Sequence, residues 1–381
     1  MRIQKPRRIK YVVILFLAML YGMISTEFQL IPYPQFKAGY AKSKKMVWPG
    51  TPTETPKEYF ETDVDKLISM RQSPDVERLR DELIAYLWGA PGLPSTLPVI
   101  VSQGHIDNRY NDIRSLTRIN KFIIKMEFGL ESHVYHFIPK YPNKKLMLYH
   151  QGHDGDFYKG KKQIGKLLDN GYSVLAFSMP LLGLNNQPVI RLPKLGKLKL
   201  VTHDHMKYLR PENGSPVKYF IEPIVIMLNY IEKNDSFLSV SMLGLSGGGW
   251  TTTLVAAIDT RIGKSFPVAG SYPIYLRSNS QRDWGDYEQN TERLYQTVNY
   301  LELYVLGASG SDRKQLQIIN QYDSCCFAGR KWETYRDIVR NRVSVLGGGE
   351  FDLFLDNSHH EHLVSNTVMA LILDELDNIS P

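Results

Sequence analysis

The feature that most constrains the fold of this chain is a strand-like segment that enters a glycine-rich turn and continues as a helix. Residues 238–243 are mostly apolar, residues 244–248 read Gly-Leu-Ser-Gly-Gly, and a helical pattern follows over residues 250–258. Glycine is required where a turn brings backbone segments so close together that a Cβ atom would clash. The pattern G-x-S-x-G between a strand and a helix therefore predicts that Ser246 lies on a tight turn with its hydroxyl pointing outward.

Strand-like and helical segments alternate from residue 145 to the C-terminus. The predicted strands cover residues 146–149, 173–178, 238–243, 262–267, 303–306 and 351–355. Alternation of this kind is typical of an α/β fold whose mostly parallel central sheet carries helices on both faces. Residues 121–127 and 133–139 precede this region and predict an antiparallel N-terminal hairpin. In such sheets the functional residues gather at the carboxyl ends of the strands.

The length of 381 residues suits one large domain with additions or two smaller ones. We expect a signal-anchor or signal peptide over residues 1–26 and a proline-containing linker over 27–60. A helical extension is expected over 61–118, and the α/β domain over 119–381.

The positive charge of the chain is concentrated at its N-terminus. The net charge is +7, but the first 45 residues hold nine Lys or Arg and one acidic residue, Glu27. The remainder is close to neutral, so nucleic-acid binding is not expected. Basic residues followed by the apolar run 11–24 predict membrane association and export of the body, either anchored or, if the signal is cleaved, secreted.

A second glycine-containing loop follows the predicted strand 146–149. Residues 150–155 read His-Gln-Gly-His-Asp-Gly. With the serine turn and the strand order, this loop makes residues 119–378 resemble the α/β-hydrolase superfamily. The resemblance implies that the backbone N–H groups of Gly247 and His153 form an oxyanion hole. It also implies a catalytic triad whose acid and histidine follow the serine along the chain.

Two residues compete for each of the remaining triad positions. For the acid, Asp323 has a semi-buried setting before a predicted helix, whereas Asp312 follows the predicted strand 303–306 more closely. Preference for Asp323 requires an insertion over residues 308–322. For the base, His362 precedes the last predicted helix in a pattern that catalytic histidines of this superfamily often show, and His359 is the alternative.

No cofactor or metal is required by this chemistry. The histidines near residue 360 lack the H-E-x-x-H spacing of a zinc protease, although a metal site there stays an alternative. Cys325 and Cys326 are adjacent, so we expect no structural disulfide and interpret them as packing groups. His203 either lines the substrate entrance or is simply a surface residue, and we favour the surface interpretation.

The sequence thus predicts an exported serine hydrolase that cleaves a carboxylic ester of a small-molecule or acylated substrate. The alternatives are a serine peptidase of the prolyl-oligopeptidase kind, an acyltransferase with the same triad, and a non-catalytic binding protein that retains the fold.

Overall fold

The structure is a computed structural model that describes residues 18, 20, 21, 55–277 and 281–377. The chain divides into two compact units, Met1–Gly50 and Thr51–Pro381, and the fold described below is that of the second. Apart from residues 18, 20 and 21, the predicted anchor lies outside the described residues, as does most of the predicted linker. Among the residues that are described, no helix is both long and apolar enough to cross a membrane.

Eleven strands occur in the described part of the chain. In chain order they are β1 (Ile100–Ser102), β2 (Leu116–Lys125), β3 (Glu131–Pro139), β4 (Lys145–His150), β5 (Ser173–Phe177), β6 (Val189–Leu192), β7 (Gly196–Lys199), β8 (Ser239–Leu245), β9 (Lys264–Val268), β10 (Lys314–Asn320) and β11 (Glu350–Asp356). Nine of these strands form one sheet in the order β1-β2-β3-β5-β4-β8-β9-β10-β11, and β6 and β7 form a separate hairpin.

Ten α-helices accompany the strands within residues 55–277 and 281–377. They are α1 (Ser73–Trp88), α2 (Lys161–Asp169), α3 (Glu222–Asn234), α4 (Gly247–Ile258), α5 (Gln281–Trp284), α6 (Tyr287–Asn290), α7 (Glu292–Thr297), α8 (Tyr300–Ala308), α9 (Arg336–Gly347) and α10 (Asn366–Asp377). Short 3-10 helices lie between them, including Lys57–Glu61 at the end of the predicted linker.

The central sheet is mostly parallel with an antiparallel N-terminal part, as predicted. β2 and β3 pair antiparallel with Phe122 opposite Val134, and β3 pairs antiparallel with β5. The pairs from β5 through β4, β8, β9 and β10 to β11 are all parallel. β1 pairs with β2, so the region predicted as a helical extension also contributes an edge strand.

Helices cover both faces of the sheet because successive strand residues point to opposite sides. In β4, Leu146 and Leu148 belong to the buried cluster that includes residues of α1, α3, α4, α8 and α9, whereas Met147 and Tyr149 belong to the cluster that includes residues of α2 and α10. Two buried hydrophobic clusters result, one on each face. This arrangement holds the carboxyl ends of the parallel strands at one common edge.

The predicted strand at 303–306 is wrong, because those residues lie within α8. All nine residues of α8 are buried, so the segment has no polar face to reveal a helical period. Its start carries a recognisable signal, since Asn299 and Glu302 form a capping box. The strand at this point of the fold is β10, which sequence reasoning missed.

Candidate active site

Ser246 occupies the sharp turn between β8 and α4. Its backbone has φ +77° and ψ −116°, a conformation that is costly for a residue with a side chain and is maintained only by its surroundings. The neighbouring glycines make the turn possible. A Cβ atom on Gly244 would overlap the Gly248 carbonyl, and one on Gly248 would overlap the His150 carbonyl. The strained turn predicted around Ser246 is therefore present.

The loop after β4 lies directly against this turn. A Cβ atom placed on Gly152 would lie 2.6 Å from the Ser246 Cβ. The Gln151 side chain fixes the loop, because its Oε1 accepts a 2.5 Å hydrogen bond from the Tyr149 hydroxyl and its Nε2 donates to Asp154 Oδ1 at 2.6 Å. The loop is thus held at its base and packed beside the serine.

Gly247 and His153 lie next to each other at this position. A Cβ atom on Gly247 would come within 2.5 Å of His153 Cε1 and 2.6 Å of its Nδ1. Within the described part of the chain, neither backbone N–H group has a hydrogen-bond acceptor. Two unsatisfied N–H groups beside a serine hydroxyl are what an oxyanion site requires.

Asp323 lies just beyond the carboxyl end of β10. Its side chain is buried, and each carboxylate oxygen accepts two hydrogen bonds. Oδ1 accepts from the backbone N–H of Cys325 at 2.7 Å and of Cys326 at 3.4 Å. Oδ2 accepts from Asn320 Nδ2 at 3.2 Å and from His362 Nδ1 at 2.7 Å. The carboxylate is therefore fixed in one orientation.

His362 follows β11 and precedes α10. Because a carboxylate oxygen only accepts hydrogen bonds, Nδ1 of His362 carries the proton that is shared with Asp323. Its other nitrogen, Nε2, is buried and has no hydrogen-bond partner in the described residues. In the neutral ring, Nε2 is thus an available proton acceptor.

The two alternative residues lie elsewhere. Both ring nitrogens of His359 already have hydrogen-bond partners, since Nε2 is 3.0 Å from Asp356 Oδ2 and Nδ1 accepts from the Glu361 N–H. Asp312 is exposed and precedes β10, at the amino end of the strand, whereas Ser246 follows the carboxyl end of β8. The insertion expected over 308–322 is not needed, because β10 (Lys314–Asn320) itself lies in that segment.

Several solved structures share this arrangement of strands and helices. The chain superposes on acetyl xylan esterase 1 from Thermoanaerobacterium sp. with a TM-score of 0.55 and 12% identity, over 84% of this chain and 97% of that one. For an acetyl xylan esterase from Paenibacillus sp. R4 the TM-score is 0.52 at 14% identity, with 89% and 99% covered. For a methylesterase the TM-score is 0.54 at 14% identity, over 85% of this chain and 68% of that one.

The chain has the α/β-hydrolase fold. The resemblance inferred from the serine turn and the two loops is thereby confirmed at the level of the fold. No protein-family model matches the sequence, and no curated protein matches it either. In this fold Ser246, Asp323 and His362 each lie in the segment just past a strand end at the carboxyl edge of the sheet.

The cysteine pair that follows β10 differs from expectation. Cys325 and Cys326 form a disulfide with each other, contrary to the prediction that adjacent cysteines stay unbridged. Their backbone N–H groups are the donors to Asp323 Oδ1. The bridge therefore lies in the turn that orients the Asp323 carboxylate.

Sequence reasoning missed a buried polar cluster behind residues 150–155, the predicted oxyanion loop. His203 is 3% exposed rather than a surface residue, and Glu288 in α6 is fully buried. Burial opposes ionisation of Glu288, but the neighbouring histidines outweigh it and hold the pKa of that carboxyl below its ordinary range. Burial likewise opposes the charged form of His203. The negative charge of Glu288 outweighs the effect of burial and raises the pKa of the His203 imidazole. His153 joins the cluster, with Nε2 2.8 Å from Glu288 Oε1.

Proposed function

We propose that this chain is a serine hydrolase that cleaves carboxylic esters through an acyl-enzyme, with Ser246 as nucleophile. One observation carries the proposal. His362 donates Nδ1–H to the buried Asp323 carboxylate and keeps Nε2 unpartnered, in the segment after β11 at the same sheet edge as the strained Ser246 turn. A histidine held in this tautomer is a general base for a serine hydroxyl.

The first half of the proposed reaction transfers an acyl group to the enzyme. His362 Nε2 accepts the Ser246 proton as Ser246 Oγ forms a bond to the ester carbonyl carbon. Asp323 stabilises the resulting imidazolium. When the tetrahedral intermediate collapses, the bond to the alcohol oxygen breaks and His362 returns the proton to that leaving alcohol.

The second half releases the acid. Water gives a proton to His362 Nε2 and attacks the acyl carbon, and collapse returns the proton to Ser246 Oγ. In both halves the N–H groups of Gly247 and His153 stabilise the negative oxygen. Each donor of this kind contributes about 3 kcal/mol to the stability of the transition state.

The proposal that the substrate is an ester is supported by the solved structures with the same fold and not by the site alone. The structures with the same fold include two named acetyl xylan esterases and one named methylesterase. Their names support an ester substrate with a small acyl or alcohol group, such as an acetylated carbohydrate.

The N-terminal segment supports a location outside the cytoplasm. Arg2, Lys5, Arg7, Arg8 and Lys10 precede the apolar run 11–24, the charge pattern of a segment that inserts with its basic end inside. We propose an exported enzyme, anchored by residues 1–26. Fractionation of cells expressing the full chain, followed by mass spectrometry of the mature N-terminus, tests this. A soluble cytoplasmic chain would refute export, and a processed N-terminus would refute anchoring.

Covalent labelling with a fluorophosphonate probe tests the nucleophile. Wild-type protein should label, Ser246→Ala should not, and Ser102→Ala on edge strand β1 should label as the wild type does. A folded wild-type protein that fails to label would refute the proposal and favour a binding protein. Hydrolysis of matched p-nitrophenyl acetate and p-nitroacetanilide then separates an esterase from a peptidase, and product analysis with added alcohols detects acyl transfer.

A further inference from the structure

Four side chains converge behind the oxyanion loop. His153 comes from that loop, His203 from the 3-10 helix His203–Tyr208, and Asp286 and Glu288 from the segment that enters α6. His153 Nε2 is 2.8 Å from Glu288 Oε1 and 3.5 Å from Asp286 Oδ2. His203 Nδ1 is 3.3 Å from Glu288 Oε2 and 3.7 Å from Asp286 Oδ2.

The hydrogen bonds of His203 leave one buried nitrogen facing oxygen acceptors. His203 Nε2 lies 2.9 Å from the Pro180 carbonyl, which only accepts, so Nε2 carries a proton. Nδ1 then faces the two carboxylates, and neither it nor Glu288 Oε2 has a hydrogen-bond partner in the described residues. Both side chains are at least 97% buried, and burial of unpaired acceptors is costly. A positive charge between Nδ1 and Oε2 would satisfy both atoms.

We propose that His153 Nε2, His203 Nδ1, Asp286 and Glu288 bind one divalent transition-metal ion, with Zn²⁺ the best match. Two imidazole nitrogens and two carboxylates are a common donor set for this ion. Bonds of about 2.0–2.2 Å place tetrahedral ligands about 3.3–3.6 Å apart. The four distances above, 2.8 to 3.7 Å, are close to this separation, and the four groups offer ligand atoms that all lie within 4.8 Å of one another.

The cluster also has an entry path. Asp286 has a side chain 55% exposed, whereas His203 and Glu288 are almost completely buried. An ion can therefore meet Asp286 first and then replace the hydrogen bond between His153 and Glu288. The ring proton of His153 moves from Nε2 to Nδ1 when Nε2 becomes a ligand, so the neutral ring keeps one proton.

A bound ion would fix the oxyanion loop. The Cε1–Nδ1 edge of His153 packs on the Cα of Gly247, so a metal on Nε2 would restrain the loop that carries the His153 N–H. This effect on activity rests on the proposed function. Metal binding itself does not, and it is measured independently.

The alternative cation is a second proton on His203, which would form an ion pair with Glu288. The two possibilities differ in metal uptake. The full chain, purified without a polyhistidine tag and treated with EDTA, is titrated with ZnCl₂ by calorimetry and assayed for zinc by mass spectrometry after gel filtration. Binding of about one Zn²⁺ per chain is expected, and a tetrahedral Co²⁺ absorption spectrum on substitution.

Three variants locate the site. Asp286→Asn, at a half-exposed position, and His203→Gln should each weaken Zn²⁺ binding by about tenfold or more. His205→Gln removes a histidine of the same 3-10 helix that is outside the cluster, and it should bind as the wild type does. Circular dichroism verifies folding of each variant.

Cys325, Cys326 and His362 form a separate potential metal-binding group, whose thiols are free only when the disulfide is reduced. A Cys325→Ser/Cys326→Ser double variant removes this group and should retain zinc. Absence of Zn²⁺ binding by folded wild-type protein would leave the proton as the cation and overturn the proposal. Binding unchanged in Asp286→Asn and His203→Gln would also overturn it. Fluorophosphonate labelling of the same metal-free sample tests the proposed hydrolase function separately.

Discussion

His362 Nδ1 donates a 2.7 Å hydrogen bond to Asp323 Oδ2, across two different strand ends of the sheet. Asp323 follows β10 and His362 follows β11, and the two strands are parallel neighbours. The bond fixes the imidazole tautomer and leaves Nε2 as the acceptor. The candidate acid and base thus form one unit whose orientation depends on the register of two strands.

Loss of the Asp323 charge should impair this unit. Asp323→Asn should lower kcat for p-nitrophenyl acetate by about 10³–10⁴-fold, because an amide can hold the wrong tautomer of His362. The control is Asp312→Asn, an exposed change before β10, which should leave kcat unchanged. Equal losses in the two variants would contradict the assignment of the acid.

The two neighbouring histidines should behave differently. His362→Ala should remove about 10³-fold or more of kcat, whereas His359→Ala should keep most of it. Since His359 is bonded to buried Asp356, its loss should cost about 1–2 kcal/mol and lower the thermal midpoint by about 2–4 °C. Steady-state kinetics and calorimetry on both variants check this, and a reversed pattern would assign the base to His359.

A methyl group on Gly152 should disturb the serine turn. Gly152→Ala places a Cβ 2.6 Å from Ser246 Cβ and 2.7 Å from the Leu245 carbonyl oxygen, so the oxyanion loop must move. We expect about a 10²-fold loss of kcat, comparable to loss of an oxyanion donor.

The matched control for that change is Gly165→Ala within α2, where the nearest atom would be Ile113 Cδ1 at 3.9 Å. It should retain activity and stabilise the fold by about 0.5–1 kcal/mol, since glycine is unfavourable inside a helix. Kinetics and urea unfolding of both variants test the pair. Full activity in Gly152→Ala would show that the loop does not contribute to the site.

The contribution of the Asp356 carboxylate to the free energy of unfolding should persist to low pH. Burial alone would raise the pKa of Asp356, but hydrogen bonds from Ser358 and Ser365 outweigh it and lower that pKa below the ordinary value of 3.8. A lowered carboxyl pKa gives stability that is fully present above the unfolded value and is lost as the pH falls through the folded value. The difference in unfolding free energy between wild type and Asp356→Asn should therefore be unchanged from about pH 7 to about pH 5.

Urea unfolding across this pH range measures that difference. It should shrink only below pH 3.8. A difference that already disappears near pH 5 would mean that the pKa of Asp356 is raised rather than lowered.

Removal of the cysteine bridge should have a smaller effect than removal of the acid. In Cys325→Ser/Cys326→Ser, the two donors to Asp323 Oδ1 are backbone N–H groups and remain in place. We expect kcat to fall by less than about tenfold, or less than about 1.4 kcal/mol. Wild-type kinetics with and without dithiothreitol give the same comparison without mutation. A loss as large as that of Asp323→Asn would make the disulfide essential to the site.

The sequence by itself determined the local elements and their order. An apolar strand, a turn that requires glycine on both sides of Ser246, and a following helix are short-range features, and the structure contains all of them. The α/β alternation and the N-terminal hairpin were predicted for the same reason. Local backbone sterics and hydrophobic periodicity depend on neighbouring residues, which a sequence displays directly.

The tertiary structure alone decided which residues meet. β10 contains Gln315, Gln317 and Asn320, which are buried and bonded across the core, for example Gln317 Oε1 to the Tyr335 hydroxyl at 2.8 Å. Such a strand lacks the continuous apolar run of most buried parallel strands, while the wholly buried α8 has one. Because the prediction placed the strand at α8 instead of at β10, Asp312 became a candidate acid. The pairing of Asp323 with His362, and of His203 with Glu288, depends on long-range packing that brings distant segments together, and local sequence patterns do not encode those distances.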